Sequence, residues 1–131
     1  MSKYKVAPKA QRTLDNIVFD SKTEMVRYKE LMILARAGVI RHLEMQPEFK
    51  VFINQQLYCT YTADFRYYDE DRRKWIIEDV KSNGTVKETA FKLRKKAAEL
   101  YHGVEITIIL NGKPLTSRKK KAKVEKVPLD D

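Results

Sequence analysis

The heptapeptide Trp75 to Lys81, WIIEDVK, constrains the fold more than any other stretch of the chain. Its apolar residues occupy both odd and even positions, so neither side of the extended segment is polar, and such a run reads as an interior strand. The polar turn Tyr68-Asp69-Glu70-Asp71-Arg72-Arg73 precedes it, and Ser82-Asn83-Gly84 breaks it. An interior strand must be covered on both faces by other elements of the same domain.

Those elements are legible on either side. Ser21 stands three residues before Glu24, the spacing of a capping box, and strong helix formers follow over residues 22–37 up to Gly38, a suitable C′ residue. Ile40 to Ile53 is extended around Pro47, and Asn54-Gln55-Gln56 turns the chain into a strand from Leu57 to Tyr67. In that strand Cys59, Tyr61, Ala63, Phe65 and Tyr67 alternate with Thr60, Thr62, Asp64 and Arg66, the period of a half-buried strand. Thr85 and Glu88 repeat the capping-box spacing and predict a helix from Val86 to Tyr101, with Val86, Ala90, Leu93, Ala97, Leu100 and Tyr101 as its apolar stripe. Gly103 ends it, and Val104 to Leu110 is a short apolar strand. The order αβββαβ predicts an α/β sandwich with a mixed four-stranded sheet flanked by helices.

The 131 residues fit one domain. Three parts are expected: a basic N-terminal arm over residues 1–15, a globular domain over 16–111, and a basic tail over 112–131 that reads as a solvated extension. No apolar run approaches the roughly 20 residues needed to cross a bilayer, and the N-terminal stretch lacks a signal-peptide core. A soluble, unprocessed, cytoplasmic protein is expected. The formal net charge is +9, which points to a polyanionic partner, although the tail alone holds seven Lys/Arg against three acids. One cysteine, Cys59, and two histidines, His42 and His102, cannot build a four-ligand zinc site of the usual kinds. A metal would be held mainly by carboxylates, as suits Mg²⁺ or Mn²⁺.

Three acids stand where acids are costly. Glu24 shares a helix face with Tyr28, Leu31 and Ala35, either as the capping-box glutamate or for a further role. Asp64 lies on the polar side of its strand. Asp79 sits inside WIIEDVK, where an unpaired buried carboxylate costs about 3 kcal/mol or more. Lys81, two residues on, projects from the same face, so an Asp–Lys ion pair or a metal ion shared with Asp64 would each satisfy the charge. Glu78 points to the other face.

Glu24 in the first helix, Ala63-Asp64 in the middle strand, and Asp79-Val80-Lys81 in the next, followed by a basic helix, resemble the PD-(D/E)XK nuclease superfamily, whose core has the same αβββαβ order. Ala63 takes the place of the superfamily's proline. FDSKTE, GVIRHLEMQPEF, YTADFRY and EDVKS are further similar to a small uncharacterised family found in phages and prophages, and the resemblance spans about residues 3–109. It implies a restriction-endonuclease-like fold and a Mg²⁺- or Mn²⁺-dependent DNA endonuclease. Asp64, Asp79 and the Val80 carbonyl would hold the ion, Lys81 would orient or polarise the attacking water, and Glu24 would complete the site. Gln46, in LEMQPEF, resembles a polar position near such sites.

DNA contacts are expected from Arg66, from Lys87, Lys92, Lys95 and Lys96 on the second helix, and from Lys119, Lys120 and Lys121 in the tail. By analogy within the superfamily, a homodimer selective for branched DNA, of the Holliday-junction resolvase type and active in phage recombination or genome processing, is expected. A nicking or end-processing nuclease, or a noncatalytic basic nucleic-acid-binding module, are the alternatives.

Overall fold

The computed structural model of the chain describes residues 6–115. Arg12 fastens the first of them, donating from its guanidinium to the carbonyls of Ala7 (2.8 Å) and Phe19 (2.6 Å). Around it lie a 3-10 turn, Lys9–Arg12, and two short paired strands, β1 (Thr13–Leu14) and β2 (Ile17–Val18). The turn and β1 fall within the stretch expected to form a loose arm.

Helix α1 (Lys22–Arg36) starts where the sequence predicts, because the Ser21 hydroxyl accepts from the Glu24 N–H at 3.1 Å. Gly38, at φ 78°, turns the chain away after its end, a conformation that a Cβ would strain. Glu24, Tyr28 and Leu31 are the buried residues of α1 and trace the expected stripe.

The next four strands form one long, bent hairpin: β3 (Ile40–Met45), β4 (Glu48–Ile53), β5 (Gln56–Thr62) and β6 (Phe65–Asp69). Pairs β3–β6 and β4–β5 meet at the bend, where Gln46 N–H donates to the Asp64 carbonyl (2.9 Å) and Ala63 N–H to the Pro47 carbonyl (3.1 Å). The single strand expected from Leu57 to Tyr67 is therefore broken at Ala63-Asp64. Opposite the break, Gln46 has a positive φ of 55° and Pro47 has no N–H, so no regular ladder can run through. The alternation survives with a change of side: Tyr61 and Ala63 enter a core cluster with Phe91 and Ala98, whereas Phe65 and Tyr67 enter another with Tyr28 and Leu31.

Strand β7 (Lys74–Lys81) is central in the main sheet, between β6 on one side and β8 (Ile106–Leu110) on the other. It runs antiparallel to β6 and parallel to β8, and β9 (Lys113–Pro114) closes the edge after an Asn111-Gly112 turn with both residues at positive φ. The main sheet thus has five strands in the order β3-β6-β7-β8-β9 rather than four, with β4–β5 as a separate ribbon. It is mixed and flanked by helices, so the α/β class holds. Ile76 joins the α1 cluster and Ile77 the other, which gives β7 a covered face on each side.

The connection from β7 to β8 departs from expectation. Ser82, not Thr85, is the cap: its hydroxyl accepts from Thr85 N–H (3.3 Å) and starts a single turn, α2 (Asn83–Val86). The longer helix, α3 (Thr89–His102), begins after Glu88 and ends at Gly103 in the left-handed region. Its buried residues are Phe91 and Ala98, so the inward stripe is rotated from the one expected, and Leu93, Leu100 and Tyr101 are exposed. The inner face is built on Phe91 and Ala98, seven residues apart, with the Phe91 ring against Tyr61, and Phe91 stands outside the expected stripe. Among the described residues, no helix is long and apolar enough to cross a membrane.

Candidate active site

Alternation along β7 sends Glu78 and Asp79 to opposite faces, and their surroundings differ accordingly. Glu78, 2% exposed, is fully met: Arg27 of α1 donates through Nε (2.7 Å) and Nη2 (2.6 Å) to its two oxygens, and the Tyr67 hydroxyl donates to one of them. This fork raises the pKa of Arg27, chiefly through the hydrogen bond to Glu78, against the opposing effect of burial.

Asp79, 1% exposed, is met differently. The Tyr61 hydroxyl of β5 donates to Oδ2, while Oδ1 accepts no hydrogen bond and has Lys81 Nζ at 3.4 Å. Lys81 Nζ also lies 5.4 Å from the centroid of the Phe91 ring, so the ammonium sits between carboxylate and π-face. Of the two partners the sequence allows Asp79, the Lys81 ammonium is in place.

The bend brings Asp64 alongside. Its N–H donates to the Glu78 carbonyl (3.0 Å) and its Oδ2 accepts from Val80 N–H (2.8 Å), which ties the carboxylate to the main chain between Asp79 and Lys81. Glu24 arrives from the first turn of α1, buried to 4% exposure. Burial pushes the Glu24 carboxyl up to about 7, helped by the charges of Asp20 and Asp79. Burial likewise pushes Asp64 up to about 8, with the Asp79 and Glu24 charges adding to it and the Val80 N–H opposing. Burial and the neighbouring Asp79 charge raise the Tyr61 hydroxyl, which keeps it a donor.

Glu24, Asp64, Val80 and Lys81 line an open cleft of about 840 Å³, with Asp20 and Thr85 on its walls. Asp79 lies behind that lining rather than on it. Its lining holds the acids Asp20, Glu24 and Asp64 and the lysines Lys22 and Lys81, so the cleft suits a ligand with both a cationic and an anionic part, such as a phosphate group accompanied by a metal ion.

The donors suit a hard ion in kind, being carboxylates and a backbone carbonyl, and the buried, hydrogen-bond-free Oδ1 of Asp79 is an oxygen still lacking a full partner. Among the described residues, no three His, Cys, Asp or Glu side chains are arranged to close around one ion. The set fits an ion held by two carboxylates that keeps several waters, as Mg²⁺ does.

Other expected residues lie farther out. Gln46 touches Asp64 only through the main chain, and its side chain is exposed. Arg66 pairs with Glu44 and lies 5.7 Å from the Trp75 ring, committed to the β3 side of the sheet. Lys87, Lys92 and Lys96 are exposed, and Lys95 pairs with Glu99 at 3.0 Å. Lys119, Lys120 and Lys121 lie outside the described residues. Sequence reasoning missed Tyr61 as a partner of Asp79 and Arg27 as a partner of Glu78. Tyr61 was legible as an inward residue of its strand, but no local spacing marks a contact made 18 positions away, and still less the 51 between Arg27 and Glu78.

The fold and site together define a mixed α/β protein with a buried acidic cluster and a lysine beside an open cleft. The chain belongs to the family described as protein of unknown function (DUF1064), whose model matches residues 1–117. No curated protein and no solved structure matches it.

Proposed function

We propose that the protein is a metal-dependent DNA endonuclease of the PD-(D/E)XK kind, with Mg²⁺ or Mn²⁺ as its cofactor. The observation that carries this reading is the convergence of Glu24 from α1, Asp64 from the hairpin bend and Lys81 from β7 on one cleft, with Asp79 buried behind its lining and paired to Lys81. A noncatalytic basic module would account for the net charge of +9. It would give no reason to bring acids into mutual repulsion beside the surface that binds phosphate.

Asp64 and Asp79 would hold the ion, with the Val80 carbonyl as a further oxygen ligand. When bound, the ion supplies charge neutralisation at the scissile phosphate and a water of lowered pKa. Lys81, kept near Asp79 by charge, orients the attacking water and offsets negative charge developing on the phosphate. Glu24, on the same lining, would complete the site as an acceptor for water beside the ion. Affinity for the duplex comes from exposed lysines such as Lys87, Lys92 and Lys96, which contact phosphates and read little sequence.

The same reading extends to branched DNA as substrate and to a homodimer, since cutting two strands calls for two copies of the site. Labelled four-way junction, linear duplex and single strand, each incubated with Mg²⁺, Mn²⁺ or chelator, test it. Cutting of the junction in either metal and none in chelator is expected; binding without metal-dependent cutting of any substrate overturns the nuclease reading. The mass of the free protein by light scattering distinguishes dimer from monomer.

A further inference from the structure

Glu24 and Arg27 are three residues apart on α1, and Asp79 follows Glu78 on β7. The guanidinium fork between Arg27 and Glu78 therefore joins the helix that carries one site acid to the strand that carries another. We infer that Arg27 and Glu78 are positioning residues, a partly buried clamp that holds the start of α1, and with it Glu24, against the cation site formed by Asp64 and Asp79. This inference rests on the proposed metal site and concerns how that site is assembled.

One observation and two physical arguments carry it. First, the clamp has a geometry that fixes both distance and orientation: Arg27 Nε and Nη2 reach the two Glu78 oxygens at 2.7 and 2.6 Å, and the Tyr67 hydroxyl fixes the carboxylate from the sheet. Second, something must oppose the site's own charge. When ionised, Glu24, Asp64 and Asp79 repel one another, and ionised carboxylates so placed are driven apart when no cation is present. The clamp lies one turn along α1 from Glu24 and pulls the other way. Third, a buried ion pair is a poor way to gain stability alone, since well-packed apolar residues of similar volume commonly serve as well. Its fork specifies a position, which an apolar contact between Leu or Met side chains does not.

The clamp is distinct from the site it serves. Glu78 lies on the face of β7 away from Asp79, bonded to Tyr67 of the α1-side cluster, and neither Arg27 nor Glu78 lines the cleft. Groups in the outer shell of a metal site that orient its ligands typically change metal affinity by about 10–100-fold when altered. Arg27 would act at one further remove, by holding the start of α1 and so Glu24, without touching the ion or its ligands, which puts the expected effect at the low end of that range.

The test is Mn²⁺ affinity, measured by electron paramagnetic resonance on the full chain, for wild type, Arg27→Lys, and the paired Arg27→Met/Glu78→Leu. Arg27→Lys keeps the charge and removes the fork; the paired change removes both charges and leaves neither buried alone. Circular dichroism and thermal melting confirm that each variant is folded, and if the paired variant does not fold, Arg27→Lys decides. About a 10-fold weaker Mn²⁺ affinity is expected in the folded variants. In a Glu24→Gln background, Arg27→Lys is expected to add little further loss, because the two changes act on the same interaction. Unchanged affinity in a folded Arg27→Lys protein, or full additivity with Glu24→Gln, overturns the clamp while leaving the metal site standing. Failure of the wild type itself to bind Mn²⁺ overturns the metal site and the clamp with it.

Discussion

The Tyr61 hydroxyl donates to Oδ2 of Asp79, although the two residues come from different sheets and both are almost wholly buried. The bend at Ala63-Asp64 makes this possible, because it turns the β5 end of the hairpin onto the face of β7 that carries Asp79. With Oδ2 engaged, Oδ1 is left with Lys81 alone. Tyr61→Phe keeps the ring against Phe91 and removes only the donor. A loss of about 1–3 kcal/mol in folding stability is expected, the cost of leaving a buried acceptor unmet. Urea unfolding measures it, and an unchanged midpoint would show that the hydroxyl does not support Asp79.

The raised carboxyls of Glu24 and Asp64 make a prediction about pH. Both release their protons near pH 4 when unfolded and only near about 7 and about 8 when folded. Between those values the folded protein binds more protons than the unfolded one, so this contribution to stability is fully present below about pH 4 and is lost as pH rises through about 8. Compared with Asp64→Asn, the ion-free wild type should lose stability between about pH 5 and 8. Mn²⁺ prefers the ionised carboxylates, so it should raise the melting temperature more at about pH 8 than at about pH 6. Parallel pH profiles for wild type and Asp64→Asn would contradict the assignment.

Lys81 separates binding from chemistry. Lys81→Ala removes the ammonium beside Asp79 and leaves the carboxylates in place. Cleavage should fall by about 10²–10⁴-fold, the range for loss of a group that assists proton transfer or charge development. Mn²⁺ affinity should be kept or strengthened, since a competing cation has gone. A fall in Mn²⁺ affinity matching the loss of cleavage would mean that Lys81 serves to build the site.

How much of this was legible in the sequence depends on how far apart the partners lie. The Ser21 cap, the Glu24-Tyr28-Leu31 stripe, the interior placement of WIIEDVK and the Asp79–Lys81 pair all arise from spacings of a few residues, and all are present. The Ser82 cap is also local but opens only the single turn α2; α3 begins after Glu88, at a position neither capping-box spacing marks, and its inward face is set by Phe91 and Ala98, which the apolar stripe read from the sequence left out. The bend at Ala63-Asp64 was hidden because the alternation of side chains runs straight through it. Its cause lies across the hairpin, at Gln46 and Pro47, and becomes visible only once the strands are paired. The partners of Glu78 and Asp79 follow from that pairing and leave no local mark.

The tail can be tested at a boundary the fold supplies. Lys113–Pro114 pair with β8, so a deletion should begin at residue 116 and leave β9 in place. Residues 116–131 hold six Lys/Arg against three acids. Their removal should preserve the melting temperature, weaken DNA binding and flatten the dependence of log K on log salt, by about 0.9 for each phosphate that the tail neutralises. An unchanged slope would assign DNA binding to the folded domain alone.

The central claim is that Asp64 and Asp79 place a metal ion for phosphodiester hydrolysis. Single-turnover cleavage of a four-way junction in Mg²⁺, with wild type and Asp64→Asn at matched folded concentration and matched DNA binding, tests it most directly. The account predicts cutting by the wild type and loss of at least about 10²-fold in the variant, since the metal-held water supplies the nucleophile. Equal cutting by a folded Asp64→Asn protein, or no cutting by a wild type that binds the junction in Mg²⁺, would contradict it.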